Sequence, residues 1–355
     1  MASAVPLHVI LGAAGATGSA VVVELVARGL PVRAVTRSGA TDLPEGVEQV
    51  AADVATPEGA RRACAGAAVV YHCAQPPYTR WVELFPPLTR AVLDGAAEAG
   101  AKLVFADNLY VYGPPEGPMT EETPQRAQGK KGRVRVEMAA AILRAHRDGR
   151  LRCTIGRSSD YYGPRGTGTT VGDNLMKPML RGKRARWLGS LDQRHTLNYL
   201  EDMARALVTL GEREEANGQV WHLPAAEPLT GRQFLGLVFE AAGHPPKIGV
   251  ASRPMVRIVG LFNPLPAGAE RDAVPVRAAL RLGRLEVPGR VRAVSNDAPS
   301  GGRAAHGGLV PAPAHRVTSR TPARERRPRR AGSSPSAASR SGSTARTAAG
   351  PSPPT

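Results

Sequence analysis

Gly12-Ala13-Ala14-Gly15-Ala16-Thr17-Gly18 follows the apolar run Leu7-His8-Val9-Ile10-Leu11 and precedes a helix-compatible stretch, Ser19 to Arg28, that Gly29 is placed to end. Each of the three glycines has a physical task in a strand-to-helix turn. Gly12 permits the tight turn, Gly15 lets a pyrophosphate approach the backbone, and Gly18 allows helix and strand to pack closely. The free N–H groups and the positive helix end then face the phosphates, with Ala16 and Thr17 in the first turn. A tight turn without that role is the simpler alternative. The strand–turn–helix context, about ten residues from the start, favours a dinucleotide site.

Working outward, strand-like and helix-like segments alternate. Pro31 to Thr36 reads as a second strand, Val47 to Ala51 as a weaker third and Ala68 to Cys73 as a fourth, with a helix over Pro57 to Cys64. Thr89 to Ala99 reads as a helix closed by Gly100, followed by a strand over Lys102 to Ala106. A helix over Arg133 to His146 and a strand over Leu151 to Ile155 come next. Such alternation calls for an α/β fold, a doubly wound parallel sheet with helices on both faces.

The end of the second strand bears on the cofactor. An acid there would hold the 2′-hydroxyl of NAD and repel the 2′-phosphate of NADP. This chain has Thr36-Arg37-Ser38 instead. Arg37 can pair with that phosphate and Ser38 can donate to it, which favours NADP, with NAD as the alternative. A solvated loop arginine is the simpler reading of Arg37. Asp53, after the third strand, is placed to touch the adenine ring or to cap the next segment.

The Gly-x-x-Gly-x-x-Gly spacing resembles the short-chain dehydrogenase/reductase superfamily, and later residues resemble its extended branch, the NAD(P)-dependent epimerase/dehydratases. Asp53-Val54 is similar to the family's Asp-Leu after strand three, and Val69 to Ala74 to its fourth strand behind the cofactor. Val111-Tyr112-Gly113 and Arg157 with Tyr161-Tyr162-Gly163-Pro164 match further family motifs, and His195 to Asp202 resembles the segment leading to its late helix. The resemblance covers roughly residues 7–262. It implies a Rossmann-type domain over 1–165, to which 190–210 returns, and a smaller substrate-binding region over 166–189 and 211–265.

The same resemblance exposes a gap. The family moves a proton with a Tyr-x-x-x-Lys pair and a Ser or Thr while hydride moves at the nicotinamide. Here the Ser position falls on Asn108, and no tyrosine lies between Tyr112 and Tyr161. Aligned on Glu137, Gly129 takes the Tyr position and Arg133 the Lys position, where Arg133 can still hold the ribose or a phosphate. Substitute acids are Lys130 or Lys131, given a pKa lowered by burial, and Tyr112 or Asp107 at the end of strand five. For the lysines the plainer reading is a solvated loop, and for Tyr112 a packing role. Hydride transfer with a non-standard donor is the leading expectation. A catalytically silent NADP-binding sensor or scaffold and a nucleotide-sugar epimerase or dehydratase are the alternatives, and losing the Tyr weighs most against an epimerase.

Composition narrows the rest. The 355 residues are 42% hydrophobic and carry a net charge of +17. No run approaches the length of a membrane helix, and no signal peptide is read at the start. Cys64, Cys73 and Cys153 fit neither a zinc site nor a disulfide framework, so no metal is expected and a reduced, cytoplasmic setting is. Asn174, Lys177, Arg181, Lys183, Arg184 and Arg186 admit an anionic small-molecule substrate, although each also reads as a solvated helix face. A homodimer is left open as an expectation.

Residues 263–355 hold 16 Arg, 5 acids and none of the chain's aromatics, so the stretch 266–355 is expected to be disordered. Without aromatics to stack on bases it predicts no specific nucleic-acid partner. Family members end in aromatic-rich helices instead. Codons permitted for residues 266–313, read one base later, restore such an ending, so the tail is read as a frameshift product that begins near Leu265.

Overall fold

The computed structural model describes residues 5–39, 42–114 and 117–251. The Arg-rich tail and its expected disorder lie outside the described residues. The elements run β1 (His8–Leu11), α1 (Ala16–Ala27), β2 (Val32–Thr36), β3 (Glu48–Ala51), α2 (Pro57–Cys64), β4 (Val69–His72), α3 (Trp81–Glu98), β5 (Lys102–Asn108) and α4 (Lys130–Arg147). They continue through β6 (Cys153–Ser158), β7 (Asp160–Tyr162), α5 (Asp173–Leu180), β8 (Ala185–Leu188), β9 (Arg194–His195), β10 (Leu197–Tyr199) and α6 (Leu200–Glu212). The last are β11 (Val220–His222), β12 (Leu229–Thr230), α7 (Gly231–Ala241) and β13 (Ile248–Ala251).

Seven strands form one parallel sheet in the order β11-β6-β5-β4-β1-β2-β3. The order reverses between β1 and β4. A crevice forms outside the strand ends at such a reversal, because the two connections leave in opposite directions. Strand residues alternate between two cores. Val9, Leu11, Val70, Leu103 and Phe105 face α2, α3 and α4, whereas Ile10, Tyr71 and Val104 face α1 and α6. Buried on both faces, these strands read as near-continuous apolar runs, which is why they were visible in the sequence.

The boundaries that moved have physical reasons. α3 begins at Trp81, eight residues before the sequence suggested, with Pro86 and Pro87 inside it. Burial of Trp81, Phe85, Leu88 and Val92 along one face outweighs the lost backbone donors. α2 matches its expected range because Thr56 caps it, accepting from the Gly59 N–H, and Pro57 opens it.

The later chain divides less simply than the expected ranges. β11 pairs with β6, and Leu223 packs in the core under α1 and α6, so the sheet layer reclaims part of the stretch after 211. A third core gathers Leu175, Met179, Trp187, Leu197, Phe234 and Phe239 around α5, β8 and α7. Asn198, buried in β10, ties these parts together. Its Oδ1 accepts from the Ser159 N–H at 2.8 Å, and its Nδ2 donates to the carbonyls of Leu223 at 3.1 Å and Pro224 at 2.7 Å.

Asn198→Ala leaves those backbone groups without their partner and is expected to cost about 3 kcal/mol of stability. A urea unfolding midpoint equal to that of the parent chain would contradict this.

Candidate functional site

Three glycines shape the crevice in different ways. Gly12 has φ +82°, and a Cβ there would lie 2.6 Å from Ala74 Cα, so the loop after β1 rests directly on the backbone after β4. At Gly18 a Cβ would lie 2.3 Å from the Gly12 carbonyl oxygen, which sets how closely α1 follows the turn. Gly15 differs. Its φ of −76° suits any residue, and the nearest atom to a Cβ would be the Gly12 oxygen at 3.3 Å. Gly15 is exposed and α1 has no side-chain cap, so N–H groups of its first turn face outward. Tyr161 of β7 packs against the core that includes Ala13 of the loop. Burial pushes the Tyr161 phenol up, with Thr17 opposing.

Arg37 and Ser38 are exposed just beyond β2. Asp53 follows β3 and its Oδ1 accepts from the Ala55 N–H at 3.1 Å, so it shapes the turn into α2. Val54 points into the core on the α2–α4 face.

The α4 residues need a correction. Alignment on Glu137 placed Arg133 at the family's Lys position, but Arg133 is exposed and donates to the Gln128 carbonyl. Helical phase is set by the buried Val134, Met138 and Ile142, whereas Glu137 faces out. The buried polar residues with that four-residue spacing are Lys131 and Arg135. Lys130, one residue away, is exposed. The Lys131 Nζ lies 3.2 Å from the centroid of the Tyr78 ring, whose electron-rich face stabilises an ammonium.

Asn108 ends β5 half-buried, and its Oδ1 accepts from the Tyr110 N–H at 3.1 Å. The Nδ2 side of that amide is turned away from this bond. Tyr112 is buried and committed elsewhere. Its hydroxyl accepts from Arg157 at 2.9 Å and is hydrogen-bonded to His222 Nε2 at 2.7 Å. Burial raises its pKa, with Arg157 opposing.

Beneath these groups lies a charge cluster that the sequence reading had not assembled. The Asp107 carboxylate is fully buried and accepts from Arg135 at 3.1 Å and from Arg157 Nε at 3.0 Å. One carboxylate thus holds two guanidiniums, and Arg135 also sits 4.4 Å from the Phe85 ring and 4.5 Å from that of Trp81. Burial pulls the Arg135 pKa down while Asp107 opposes. Beside it, His72 is packed between Phe85 and Phe105, and burial together with Arg135 depresses its pKa to about 3. Burial depresses that of His222 to about 4. Arg157 carried a sequence signal; Arg135 carried none, being a cation on a core-facing helix position.

Past the end of β6, His195 Nε2 lies 2.9 Å from Asp160 Oδ2. Asn174, Lys177, Arg181, Lys183, Arg184 and Arg186 are exposed, and Lys177 pairs with Asp173. Among the described residues no group of His, Cys, Asp and Glu could hold a metal ion. No helix among them is long and apolar enough to cross a membrane.

Residues 8–223 match the NAD dependent epimerase/dehydratase family. The chain belongs to this family. Its fold is similar to that of the UDP-glucose 4-epimerase of Thermotoga maritima with UDP-glucose, with a TM-score of 0.61 and 20% identity over 71% of this chain and 88% of that one. The Thermus thermophilus UDP-glucose 4-epimerase complex with NAD gives 0.58 and 22%, over 72% and 93% of the two chains. A double mutant of a Streptomyces venezuelae dTDP-glucose 4,6-dehydratase with NAD bound gives 0.58 and 19%, over 72% and 90%. At these identities the likeness is one of fold. No curated protein matches this chain.

The two buried histidines predict an acid limb to stability. Both are held neutral when folded and take up protons when unfolded, so the unfolded state binds more protons below pH 6.5. Stability is complete above that value and declines as pH falls, down to about 4 for His222 and about 3 for His72, at roughly 1 kcal/mol per pH unit for each. His72 has no hydrogen-bond partner on either ring nitrogen, so His72→Leu is expected to keep the stability at pH 7 and flatten this slope. Denaturant unfolding from pH 7 to about 4 checks it; an unchanged slope in His72→Leu would contradict the assignment.

Proposed function

We propose that the chain is an NAD(P)-dependent oxidoreductase that transfers hydride at a carbinol or carbonyl carbon of a small substrate, with a proton donor other than the family's tyrosine. Gly15 carries this reading. Its φ of −76° does not call for glycine and a Cβ there would press on the Gly12 carbonyl oxygen alone, while the exposed, uncapped helix end is where an outside group can approach the backbone closely. The residues present fit a dinucleotide: Gly12 to Gly18 and Ala74 would hold the pyrophosphate and the central part, and Asp53-Val54 the adenine side. Arg37 and Ser38 would meet a 2′-phosphate, which favours NADP.

The nicotinamide, when bound, supplies or accepts the hydride. The chain's own residues handle the substrate oxygen. Asn108, with its Oδ1 engaged by Tyr110, has its Nδ2 left to donate to that oxygen. Lys131, charged over the Tyr78 ring, contributes a fixed positive potential where an alkoxide develops. Asp107, Arg135 and Arg157 hold the ends of β5 and β6 and the phase of α4, so that these groups keep their positions. Lys130 and Arg133 are exposed and Tyr112 is hydrogen-bonded on both sides, so none of the three is given a chemical role.

One observation favours a second reading, a silent NADP-binding protein: α4 has no tyrosine, and its inward lysine lies against the Tyr78 ring. The solved relatives bind nucleotide sugars, which makes an anionic sugar derivative the first substrate class to try.

Titration of the full chain by tryptophan quenching is expected to show tighter binding of NADPH than of NADH. Arg37→Ala should weaken NADPH about tenfold and leave NADH unchanged, as loss of one charge-assisted contact would. Gly15→Val should abolish both. A folded chain that binds neither nucleotide would contradict the proposal.

A further inference from the structure

We infer that His195, held by Asp160, is the acid–base residue that gives the proton to, and takes it from, the substrate oxygen; the inference rests on the hydride-transfer reading above. Two short ladders bring the pair together. β10 pairs in parallel with β7, Leu197 opposite Asp160, which places His195 two residues before the partner of Asp160. β9 is fixed on its other side, with His195 opposite Leu229 of β12.

The carboxylate is oriented at both oxygens. Oδ2 lies 2.9 Å from His195 Nε2, and Oδ1 accepts from the Thr170 hydroxyl at 3.3 Å. The ring also packs edge-on against Trp187, with centroids 6.0 Å apart. An imidazole with one nitrogen on a fixed carboxylate has its tautomer set, so the other nitrogen is the one that exchanges a proton with a ligand. Neither member is sealed in the core: 18% of the His195 side chain and 36% of that of Asp160 remain accessible.

The pair belongs to the crevice. Asp160 lies two residues past Ser158, the end of β6 that pairs with Asn108, and it acts electrostatically on Tyr110, the residue bonded to Asn108. Its neighbour Tyr161 packs against the core that includes Ala13 of the glycine loop. The segment that holds His195 therefore runs between the nucleotide loop and the end of β5. Among the groups gathered here the Tyr112 hydroxyl is occupied by Arg157 and His222, whereas an imidazole nitrogen off its carboxylate can serve as donor or acceptor.

The step balances without another reagent. In the reducing direction hydride from the nicotinamide forms the C–H bond, the carbonyl π pair moves to oxygen, and the His195 imidazolium proton forms the O–H bond. Solvent then reprotonates the neutral ring, and the oxidised nucleotide leaves. In the oxidising direction the neutral ring takes the hydroxyl proton as hydride departs.

The test uses the full chain, NADPH and a panel of aldehydes, ketones and diones, with NADPH oxidation and nucleotide affinity both followed. His195→Gln should lose a hundredfold or more in kcat while its NADPH Kd stays within twofold. His195→Gly should lose as much and regain activity with added imidazole, which a purely structural role would not allow. Asp160→Asn should lower kcat at least tenfold with little change in KM, since Asp160 acts only through the ring. His195→Gln within threefold of the parent, or a His195→Gly defect that imidazole leaves untouched in a folded chain, would overturn the inference alone. A parent chain that binds NADPH and oxidises it with no member of the panel would contradict the hydride-transfer reading and this inference with it.

Discussion

At the centre of the sheet the loop after β1 touches the backbone after β4 so closely that a single methylene at residue 12 would collide with Ala74. That contact fixes where the two halves of the sheet part. β2 and β3 continue on one side of β1, and β4, β5, β6 and β11 on the other. Asp53, Asn108 and Asp160 stand at or beyond the carboxyl ends of these strands, and Lys131 on the first turn of α4, whereas His195 reaches the crevice from β9. The close approach also leaves the first turn of α1 uncapped and facing out, which a chain without a ligand there would have little reason to maintain.

A second constraint operates one layer deeper. Asp107 holds two arginines that arrive from different elements, Arg157 from β6 and Arg135 from α4. A buried carboxylate shared by two guanidiniums is a costly arrangement, and its strict geometry makes it a device for registry. It fixes α4 in rotation, and with α4 fixed, Lys131 is turned inward and Arg133 outward. On the proposed reading, a cation at one wall and an Asp–His pair at another stand in for the family's proton relay. The scaffold that presents them remains the family's own.

How much of this the sequence disclosed depends on how local each signal was. The β1–α1 unit was legible because an apolar run and three spaced glycines lie within twelve residues. Helix α2 was legible because its cap and proline are adjacent. The start of α3 was hidden because Pro86-Pro87 is a strong local breaker, and only tertiary burial overrides it. The inward face of α4 was hidden because Lys131 and Arg135 are charged, and charge gives no sign of facing a core. Asp160 and His195 lie 35 residues apart and meet through ladders two or three residues long, which leave no periodic trace. Tyr112 was noted for its motif, yet the arginine and histidine that occupy its hydroxyl come from β6 and β11.

Hydrogen–deuterium exchange of the full chain with and without NADPH tests the central claim most directly, since it reads backbone amides at the reversal point itself. The account predicts that saturating nucleotide slows exchange at residues 12–18 above all, with smaller effects at 36–39 and 73–75. Slowing confined to other elements, or none in a chain that binds the nucleotide, would contradict it.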